Sequence, residues 1–296
     1  MKSGGRAGYE EWATHFAELA PALTVRFWDD AAPDEVDYAV VWDPEPGRLA
    51  AMPRLRCIFG AGAGVDLITR DPAFPRHIPL IRMTPAGAAQ RMGDYVCWAA
   101  PPLAQARSAW EDFACASAPD VRVGIMGLGV MGARSAAMLQ GLGFPVHGWS
   151  RSDKRLPGVT DFVGDAALPD FLAVTDLLVC LLPDTPATAG ILNAALFAQL
   201  PRRALVINAG RGRQQVLPDI LSALDDGTLG GAVLDVFEPE PLAADNPAWA
   251  HPLLTITPHV ASLPPRRERA AWVAHCIAGI EAGQWPEKRY DPELGY

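Results

Sequence analysis

Residues 121–142 read VRVGIMGLGVMGARSAAMLQGL, and this stretch restricts the fold of the chain more than any other. A short apolar run meets Gly127, Gly129 and Gly132, and a segment that can form a helix follows directly. In such a G-x-G-x-x-G turn the first glycine permits the tight turn, the second admits a pyrophosphate, and the third lets helix and strand pack closely. The spacing predicts a dinucleotide-binding unit that begins in mid-chain, so about 120 residues before it form something else.

The composition fits a folded protein and disfavours several kinds of partner. The chain has 296 residues, 50% of them hydrophobic, which suits one large domain or two ordinary ones. A formal net charge of −9 disfavours nucleic acid, which binds a basic face, and also an anionic membrane surface. An anionic substrate would therefore need a local cation to bind it.

The five cysteines are odd in number and lack C-x-x-C spacing, so they predict buried free thiols rather than a disulfide or metal framework. The N-terminal residues MKSGGRAGYEEW have no signal-peptide apolar core, and no apolar run is long enough to span a bilayer. We expect a cytoplasmic protein without a metal site.

Strand-like and helix-like segments alternate after the glycine turn. Strands are predicted over residues 146–149, 177–182, 204–208, 232–236 and 254–257, and helices over 193–200 and 216–225. Continuous apolar runs such as LLVCLL at 177–182 are typical of parallel strands covered on both faces. The pattern predicts an α/β fold with a Rossmann doubly wound parallel sheet.

The first part of the chain predicts a smaller α/β unit. Its segments are a helix over 10–20, strands over 25–28, 38–42, 55–59 and 80–82, and a closing helix over 268–283. The pairs Pro101-Pro102 and Pro264-Pro265 are the expected breaks between the two units.

Three polar residues stand at the ends of predicted strands, where open α/β sheets bind ligands. Arg211, between two glycines, can present its fork of donors to a carboxylate. Glu240 lies between prolines that fix its direction, and His259, after the last strand, is a natural proton donor near neutral pH. Each alone fits an ordinary loop or structural residue, but the three at successive strand ends of one sheet predict a catalytic site.

With these residues the sequence resembles the D-isomer-specific 2-hydroxyacid dehydrogenase family and, within it, the A-type glyoxylate/hydroxypyruvate reductases. The matching segments cover nearly the whole chain in order: the glycine turn and residues 60–66, 149–152, 181–186, 208–212, 235–242, 257–261 and 295–296. The resemblance implies a Rossmann domain of residues 94–267. It also implies a discontinuous, flavodoxin-like substrate domain of residues 1–93 and 268–296.

The resemblance also implies roles for the polar residues. Arg211 would bind the substrate carboxylate and polarise the keto oxygen, His259 would donate a proton to that oxygen, and Glu240 would hold and charge His259. Backbone amides near Ala63 and Gly64 would bind the same carboxylate.

Two further sets of candidates follow. Trp42 would limit the substrate to small acids, unless it is simply a core tryptophan. The candidate cofactor-binding residues are Gly127, Leu128, Gly129, Val130, Met131, Gly132, Ser150, Arg151, Ser152, Leu182, Pro183, Thr188, Ala209, Gly210 and Asp235.

The end of the second strand indicates which dinucleotide binds. An NAD site has Asp or Glu there to bind the ribose 2′-OH, whereas this chain has Ser150-Arg151-Ser152. An arginine between two hydroxyls suits a 2′-phosphate, so we predict NADP(H) and reduction of the keto acid. Asp153 keeps NAD(H) open if the turn is shifted.

Two departures from the family pattern concern assembly. Relatives begin with a strand, for which this chain leaves hardly any room before its first helix. Pro101 and Pro102 fall where relatives have an uninterrupted helix that packs against a partner subunit, and the segment up to Val121 is shorter. The family implies a homodimer, and the prolines predict an altered contact.

Three functions stay open at this stage: an NADPH-dependent 2-keto acid reductase, a dinucleotide-sensing binding protein, and an enzyme of the same fold that binds its cofactor but is impaired. A sensor would not require Arg211, Glu240 and His259 together, so their presence favours the reductase.

Overall fold

The computed structural model describes residues 1–106, 117–286, 289–293 and 295, and the chain divides into two compact units. The split unit comprises Met1–Gly87 and Pro264–Tyr296, and the central unit comprises Ala88–Leu263. The helices are α1 Gly5–Leu19, α2 Asp66–Thr69, α3 Ala86–Ala106, α4 Val130–Gly141, α5 Leu168–Ala173, α6 Ala194–Phe197, α7 Leu217–Asp225 and α8 Arg266–Glu281. The strands are β1 Tyr38–Val41, β2 Cys57–Gly60, β3 Leu80–Ile81, β4 Val123–Met126, β5 Val146–Ser150, β6 Thr160–Val163, β7 Leu177–Cys180, β8 Ala204–Asn208, β9 Leu229–Leu234 and β10 Leu254–Ile256.

The central unit contains a seven-stranded sheet in the order β10-β9-β8-β7-β4-β5-β6, with every neighbouring pair parallel. The chain moves outward from β4 to β6 and then returns to continue on the other side of β4 with β7. The order therefore reverses between β4 and β7, and open α/β sheets bind ligands at such a point. This is the doubly wound sheet that the alternation of segments predicts.

Successive residues of the inner strands pack on opposite faces of this sheet. In β7, Leu177 and Val179 join the core under α3 and α4, while Leu178 and Cys180 join the core under α5 to α7. Both faces are covered, so a strand at this position needs an unbroken apolar run. The run at 177–182 meets that need.

The edge strand β6 was not expected from the sequence. Its residues are exposed or half-buried, because it lies at the open edge of the sheet and pairs only with β5. An edge strand needs no continuous apolar run, so the pattern that reveals the inner strands is absent here.

The split unit contains a three-stranded parallel sheet in the order β1-β2-β3. One face packs against α1 and α8 through side chains such as Trp12, Phe16 and Val273. The other face is covered by a second apolar cluster that includes Leu49 and Ile68.

The prediction of a strand over residues 25–28 is wrong, and the neighbouring segment explains why. Lys2 forms one isolated parallel bridge with Val41, and the amino group of Met1 donates to the carbonyl of Arg26 at 2.8 Å. In space, the segment Met1 to Ser3 therefore lies between β1 and residues 25–28, and it is too short to form a strand. A ladder needs several consecutive partners, and this edge supplies too few.

The expected break between the units at Pro101-Pro102 is also wrong, because the first boundary lies between Gly87 and Ala88 and α3 continues through both prolines to Ala106 within the central unit. The preceding turns are buried in the central core through Met92, Val96 and Ala99. We attribute the continuation to this packing, which offsets the hydrogen bonds that proline removes. Residues 107–116 lie outside the described residues, so the shortened connection stays a prediction.

Two other sequence expectations concern the whole chain. Among the described residues, no helix is both long and apolar enough to cross a bilayer. Cys57, Cys180 and Cys276 are buried free thiols and Cys97 is a half-buried one, whereas Cys115 lies outside the described residues.

Candidate active site

The glycine turn lies between β4 and α4, at the reversal of strand order. Gly127 has φ +100°, a conformation that L side chains rarely adopt, and a Cβ there would lie 2.8 Å from the carbonyl oxygen of Leu181. A Cβ on Gly132 would lie 2.0 Å from the carbonyl oxygen of Gly127, so only glycine lets the helix pack this closely. Gly129 differs, because a Cβ there would meet nothing within 4 Å.

The space at Gly129, compared with that at Gly127 and Gly132, indicates whether the turn fits a dinucleotide. Gly127 and Gly132 are required by the fold itself, whereas the space above Gly129, at the first residue before α4, is open. An open space at a helix N-terminus is what a pyrophosphate needs. Leu128 is buried against Gly148, so it can offer a ligand only its backbone.

The end of β5 carries the residues expected to select the dinucleotide. Ser150 is buried and its hydroxyl donates to the carbonyl of Ser152 at 2.7 Å, which closes the turn around Arg151. Asp153 is held by Arg155, whose Nε donates to it at 2.8 Å. The hydrogen bond from Arg155 lowers the pKa of Asp153. Asp153 is thus already engaged by a neighbouring cation, while Arg151 is exposed.

The loop after β7 contains three more of the predicted residues. Thr188 donates to the carbonyl of Pro183 at 2.7 Å and accepts from the backbone N–H of Thr185 at 3.0 Å. These bonds close the loop next to Leu182, which is buried. Thr188 therefore shapes this loop.

Arg211 follows β8 in a tightly held turn. Asn208, fully buried at the end of the strand, accepts from the N–H of Gly210 at 3.0 Å and donates to the carbonyl of Arg211 at 3.2 Å. A Cβ on Gly212 would lie 2.0 Å from the carbonyl carbon of Phe237, so the turn packs directly on the backbone after β9. Ala209 is buried here, and the half-buried Arg211 side chain donates to the carbonyl of Gly210 at 2.8 Å.

Asp235 lies just after β9 and binds the turn that carries His259. It is 1% exposed, and its carboxylate accepts from the hydroxyl of Thr257 at 2.5 Å and from the N–H groups of Val260 and Ala261 at 2.9 Å each. These bonds hold His259 at φ +55°, a left-handed conformation. The structure therefore gives Asp235 the task of positioning His259, and its contact with a cofactor stays a prediction.

His259 and Glu240 form a hydrogen-bonded pair. Nδ1 of His259 donates to Oε2 of Glu240 at 2.8 Å, which leaves Nε2 on the opposite side of the ring. The other oxygen of Glu240 accepts from the N–H of Phe237 at 2.8 Å. Burial acts to raise the pKa of Glu240, but these two hydrogen bonds and the charges of His259 and Arg211 together lower it. The charge of Arg211 thus acts on the same carboxylate.

The three residues predicted as catalytic therefore come together at the carboxyl ends of neighbouring strands. Arg211 follows β8, Glu240 follows β9, and His259 follows β10. A guanidinium can bind an anion, and an imidazole held by a carboxylate can exchange a proton with an adjacent oxygen.

Sequence reasoning missed the buried and half-buried polar residues that hold this arrangement. Gln214 is fully buried beside Arg211, and Gln215 joins Asn208 to the carbonyl of Val236. Thr257 links Asp235 to the hydroxyl of Tyr95 at 2.7 Å. The available signal was two adjacent glutamines directly after a glycine turn at a strand end.

The predicted substrate residues of the split unit lie after β1 and β2. The carbonyl of Ala63 accepts from Nε of Arg82 at 3.0 Å, and Gly64 follows it in the segment before α2. The ring of the half-buried Trp42 packs on Gly62, where a Cβ would lie 2.5 Å from the ring.

Known proteins match this chain over nearly its whole length. The family model "D-isomer specific 2-hydroxyacid dehydrogenase, NAD binding domain" matches residues 102–261. A protein of Klebsiella pneumoniae (strain 342) named glyoxylate/hydroxypyruvate reductase A is 39% identical, over 96% of this chain and 96% of that protein.

Solved structures agree with the sequence comparisons. An NADPH-dependent glyoxylate/hydroxypyruvate reductase of Sinorhizobium meliloti, in complex with NADP and sulfate, is 41% identical with a TM-score of 0.87, over 97% of this chain and 96% of that one. A probable 2-hydroxyacid dehydrogenase of Rhizobium etli, in complex with NADP, HEPES and L(+)-tartaric acid, is 35% identical with a TM-score of 0.90, over 100% and 98%.

Proposed function

The chain belongs to the D-isomer specific 2-hydroxyacid dehydrogenase family, and from this premise we propose that it reduces glyoxylate or hydroxypyruvate to the 2-hydroxy acid with NADPH. The observation that carries the proposal is the His259–Glu240 pair beside Arg211, on the sheet that bears the glycine turn. A dinucleotide-binding protein without catalysis would need the glycine turn but not this pair.

NADPH, when bound to this unit, would supply the hydride for reduction of the keto carbon. The residues proposed to hold it are the glycine turn, Ser150 to Ser152, the loop of Leu182, Pro183 and Thr188, and Ala209 with Gly210. Arg151 with the neighbouring hydroxyl of Ser152 suits the 2′-phosphate, whereas Asp153, the acid that would favour NADH, is bound by Arg155.

The mechanism assigns each catalytic side chain one task. Arg211 binds the carboxylate of the keto acid and draws electron density toward the keto oxygen. As the keto carbon accepts the hydride, Nε2 of His259 gives its proton to that oxygen, so the product is the neutral hydroxyl. Glu240 holds the ring through Nδ1 and stabilises its charged form before the transfer.

The substrate is a small keto acid, and further contacts are proposed for it. Backbone amides of Ala63 and Gly64 would bind the carboxylate, and Trp42 would limit the size of the side chain. Close packing of Trp42 on Gly62 supports a fixed ring at this position.

We further propose that the protein is a homodimer that associates through α3. This helix carries Trp98, which is 55% exposed and whose ring centroid lies 5.7 Å from that of Tyr95. A large exposed aromatic beside a second one is common at protein interfaces. A cytoplasmic location stays a prediction from the sequence.

A cofactor and substrate panel tests the function directly. Purified protein is mixed with NADPH or NADH and with glyoxylate, hydroxypyruvate or a bulkier keto acid, and the loss of nicotinamide absorbance is followed. We expect turnover with NADPH and the two small acids. Retained NADPH binding without turnover of any keto acid would contradict the proposal and favour a binding protein.

One variant tests the basis of cofactor choice. Arg151→Ala should weaken NADPH about tenfold or more and leave NADH little changed, since only NADPH has the 2′-phosphate. The matched control is Arg202→Ala, an exposed arginine that contacts the carbonyl of Asp226. Equal losses for both cofactors in the Arg151 variant would contradict the contact.

A further inference from the structure

Gln214 has no solvent-exposed surface, and its side chain lies between the Arg211 turn and the loop after β7. On one side, its Oε1 accepts from the backbone N–H of Arg211 at 2.9 Å. On the other side, its Nε2 donates to the carbonyl oxygens of Leu182 at 2.7 Å and Pro183 at 3.1 Å. One amide thus joins the turn of the substrate-binding arginine to a loop proposed to hold the cofactor.

The hydrogen-bonding capacity of this amide is fully used. Both N–H donors are engaged, and Oε1 accepts a second, weaker bond from the thiol of Cys180 at 3.5 Å. A Cβ on Gly210 would lie 2.3 Å from Oε1, so the amide is enclosed on that side as well. The side chain therefore has a single orientation, and a shift of the loop would be passed to Arg211.

Further contacts tie the same two segments together. Nη1 of Arg213 donates to Asp184 at 3.3 Å, and its carbonyl accepts from the N–H of Gly190 at 2.8 Å. The carbonyl of Gln214 accepts from the N–H of Leu192 at 2.8 Å. The turn and the loop form one connected element, and the side chain of Gln214 bonds both to the backbone of Arg211 and to the loop.

We propose that Gln214 is a positioning residue that couples occupancy of the cofactor site to the substrate-binding position of Arg211. The inference rests on the proposed function and deepens it. When NADPH orders the loop of Leu182 and Pro183, Gln214 fixes the Arg211 backbone, and the keto acid then binds more tightly. By linkage, the acid tightens NADPH by the same factor.

A second role for Gln214 has to be separated from this one. It is the third residue of a short 3-10 turn, Gly212–Gln214, and its bond to the N–H of Arg211 is half of a capping box. A residue that only caps this turn would affect stability and leave the coupling between the two ligands unchanged. The test must therefore measure coupling as well as stability.

Two variants remove different sets of the hydrogen bonds made by the Gln214 side chain. Gln214→Met keeps the approximate volume and removes the bonds on both sides. Gln214→Glu keeps an oxygen for the N–H of Arg211 but places a second oxygen against the carbonyls of Leu182 and Pro183, so it breaks only the loop side. If the Met variant does not fold, the Glu variant still tests the link.

The matched control is Thr175→Val. Thr175 is also fully buried, it is hydrogen-bonded to His147 and to the carbonyl of Phe171, and it lies at the opposite end of β7 from the loop. Its loss should lower the melting temperature without touching either binding segment.

Coupling is measured with oxalate, a small dicarboxylate that cannot be reduced, titrated with and without saturating NADPH. We expect NADPH to tighten oxalate binding about tenfold in the wild type and in Thr175→Val, and less than about threefold in both Gln214 variants. In turnover assays the KM for glyoxylate should rise in the Gln214 variants, while the affinity for NADPH in the absence of any acid should change little.

The outcomes separate this inference from the proposed function. Absence of turnover in the wild type would overturn the function. The coupling would still be measurable, because binding of oxalate and NADPH does not depend on catalysis. A wild type that turns over, with Gln214 variants that are less stable but retain the tenfold coupling, would overturn the inference and leave a capping role. Absence of coupling in the wild type would overturn it as well.

Discussion

His259 is the residue on which the proposed chemistry depends most directly. His259→Ala should lower kcat for glyoxylate reduction by about 10²- to 10⁴-fold, the usual contribution of a positioned proton donor. NADPH affinity, measured by fluorescence titration, should stay near the wild-type value. His251→Ala is the matched control, because His251 also pairs with a carboxylate, Asp225 at 3.3 Å, but lies elsewhere on the central unit. A His259 variant with most of its turnover would rule out this proton donor.

Substitution of Glu240 should change how kcat/KM for reduction depends on pH. Its lowered pKa keeps the carboxylate charged through the neutral range, and the charge is lost only as the pH falls below the ordinary carboxyl range. Glu240→Gln removes that charge at every pH, so kcat/KM for reduction should be lower across the neutral range and should lack the decline that the wild type shows below the ordinary carboxyl range.

The control for this variant lies in the same loop. Glu238→Gln alters an exposed neighbour of Glu240 and should leave the pH profile in place. The measurement is kcat/KM across the acidic to alkaline range for both variants. An unchanged profile for Glu240→Gln would show that the charge of Glu240 does not contribute to the reaction.

Residue types predicted the catalytic set but not its supports. Arg211, Glu240 and His259 stand out in the sequence because charged groups at strand ends are few and flanked by glycine or proline. Gln214 and Thr257 do not stand out, since their importance comes from burial and from partners distant in sequence. Such partners depend on how the strands are placed side by side, which periodicity does not specify.

At the scale of elements, the glycines of the turn have different roles: Gly132 is required by the fold, whereas Gly129 is proposed to make room for the ligand. Gly129→Ala introduces a methyl group into open space at an extended backbone position, so the melting temperature should be nearly unchanged and NADPH affinity should fall. Gly132→Ala places a methyl group 2.0 Å from a carbonyl oxygen, an overpacking that costs about 1–3 kcal/mol or more. Thermal melts and NADPH titrations of both variants check this, and a Gly129 variant that binds normally would contradict the proposed pyrophosphate position.

The inner strands were predicted well, and one edge strand was missed. The inner strands β4, β7 and β8 follow from apolar runs, whereas the edge strand β6 mixes polar and apolar residues and was not predicted. Residues 25–28 have the composition of a strand but lack a neighbour to pair with. The composition of a segment indicates its tendency to form a strand, whereas pairing at the edge of a sheet depends on which segment lies beside that edge.

At the scale of the whole molecule, the proposed homodimer makes a separate prediction. Trp98→Lys should weaken self-association at least about tenfold, because an interface that buries an aromatic anchor would have to bury a charge. Sedimentation at several concentrations measures the effect. Trp249→Lys is the matched control, since Trp249 is 53% exposed on a different element of the central unit. Equal association of the two variants would place the interface elsewhere.

At His259, the left-handed backbone conformation lowers the stability of the fold, while the side chain is needed for the proposed activity. A non-glycine residue in this conformation costs about 1–2 kcal/mol, and alanine keeps that cost because it keeps Cβ. His259→Gly should therefore melt at a higher temperature than His259→Ala while being as inactive, which calorimetry of the two variants would check. A library of this chain selected for thermal resistance alone would drift toward glycine at residue 259 and discard the proton donor. Selection that keeps the histidine must therefore act on turnover.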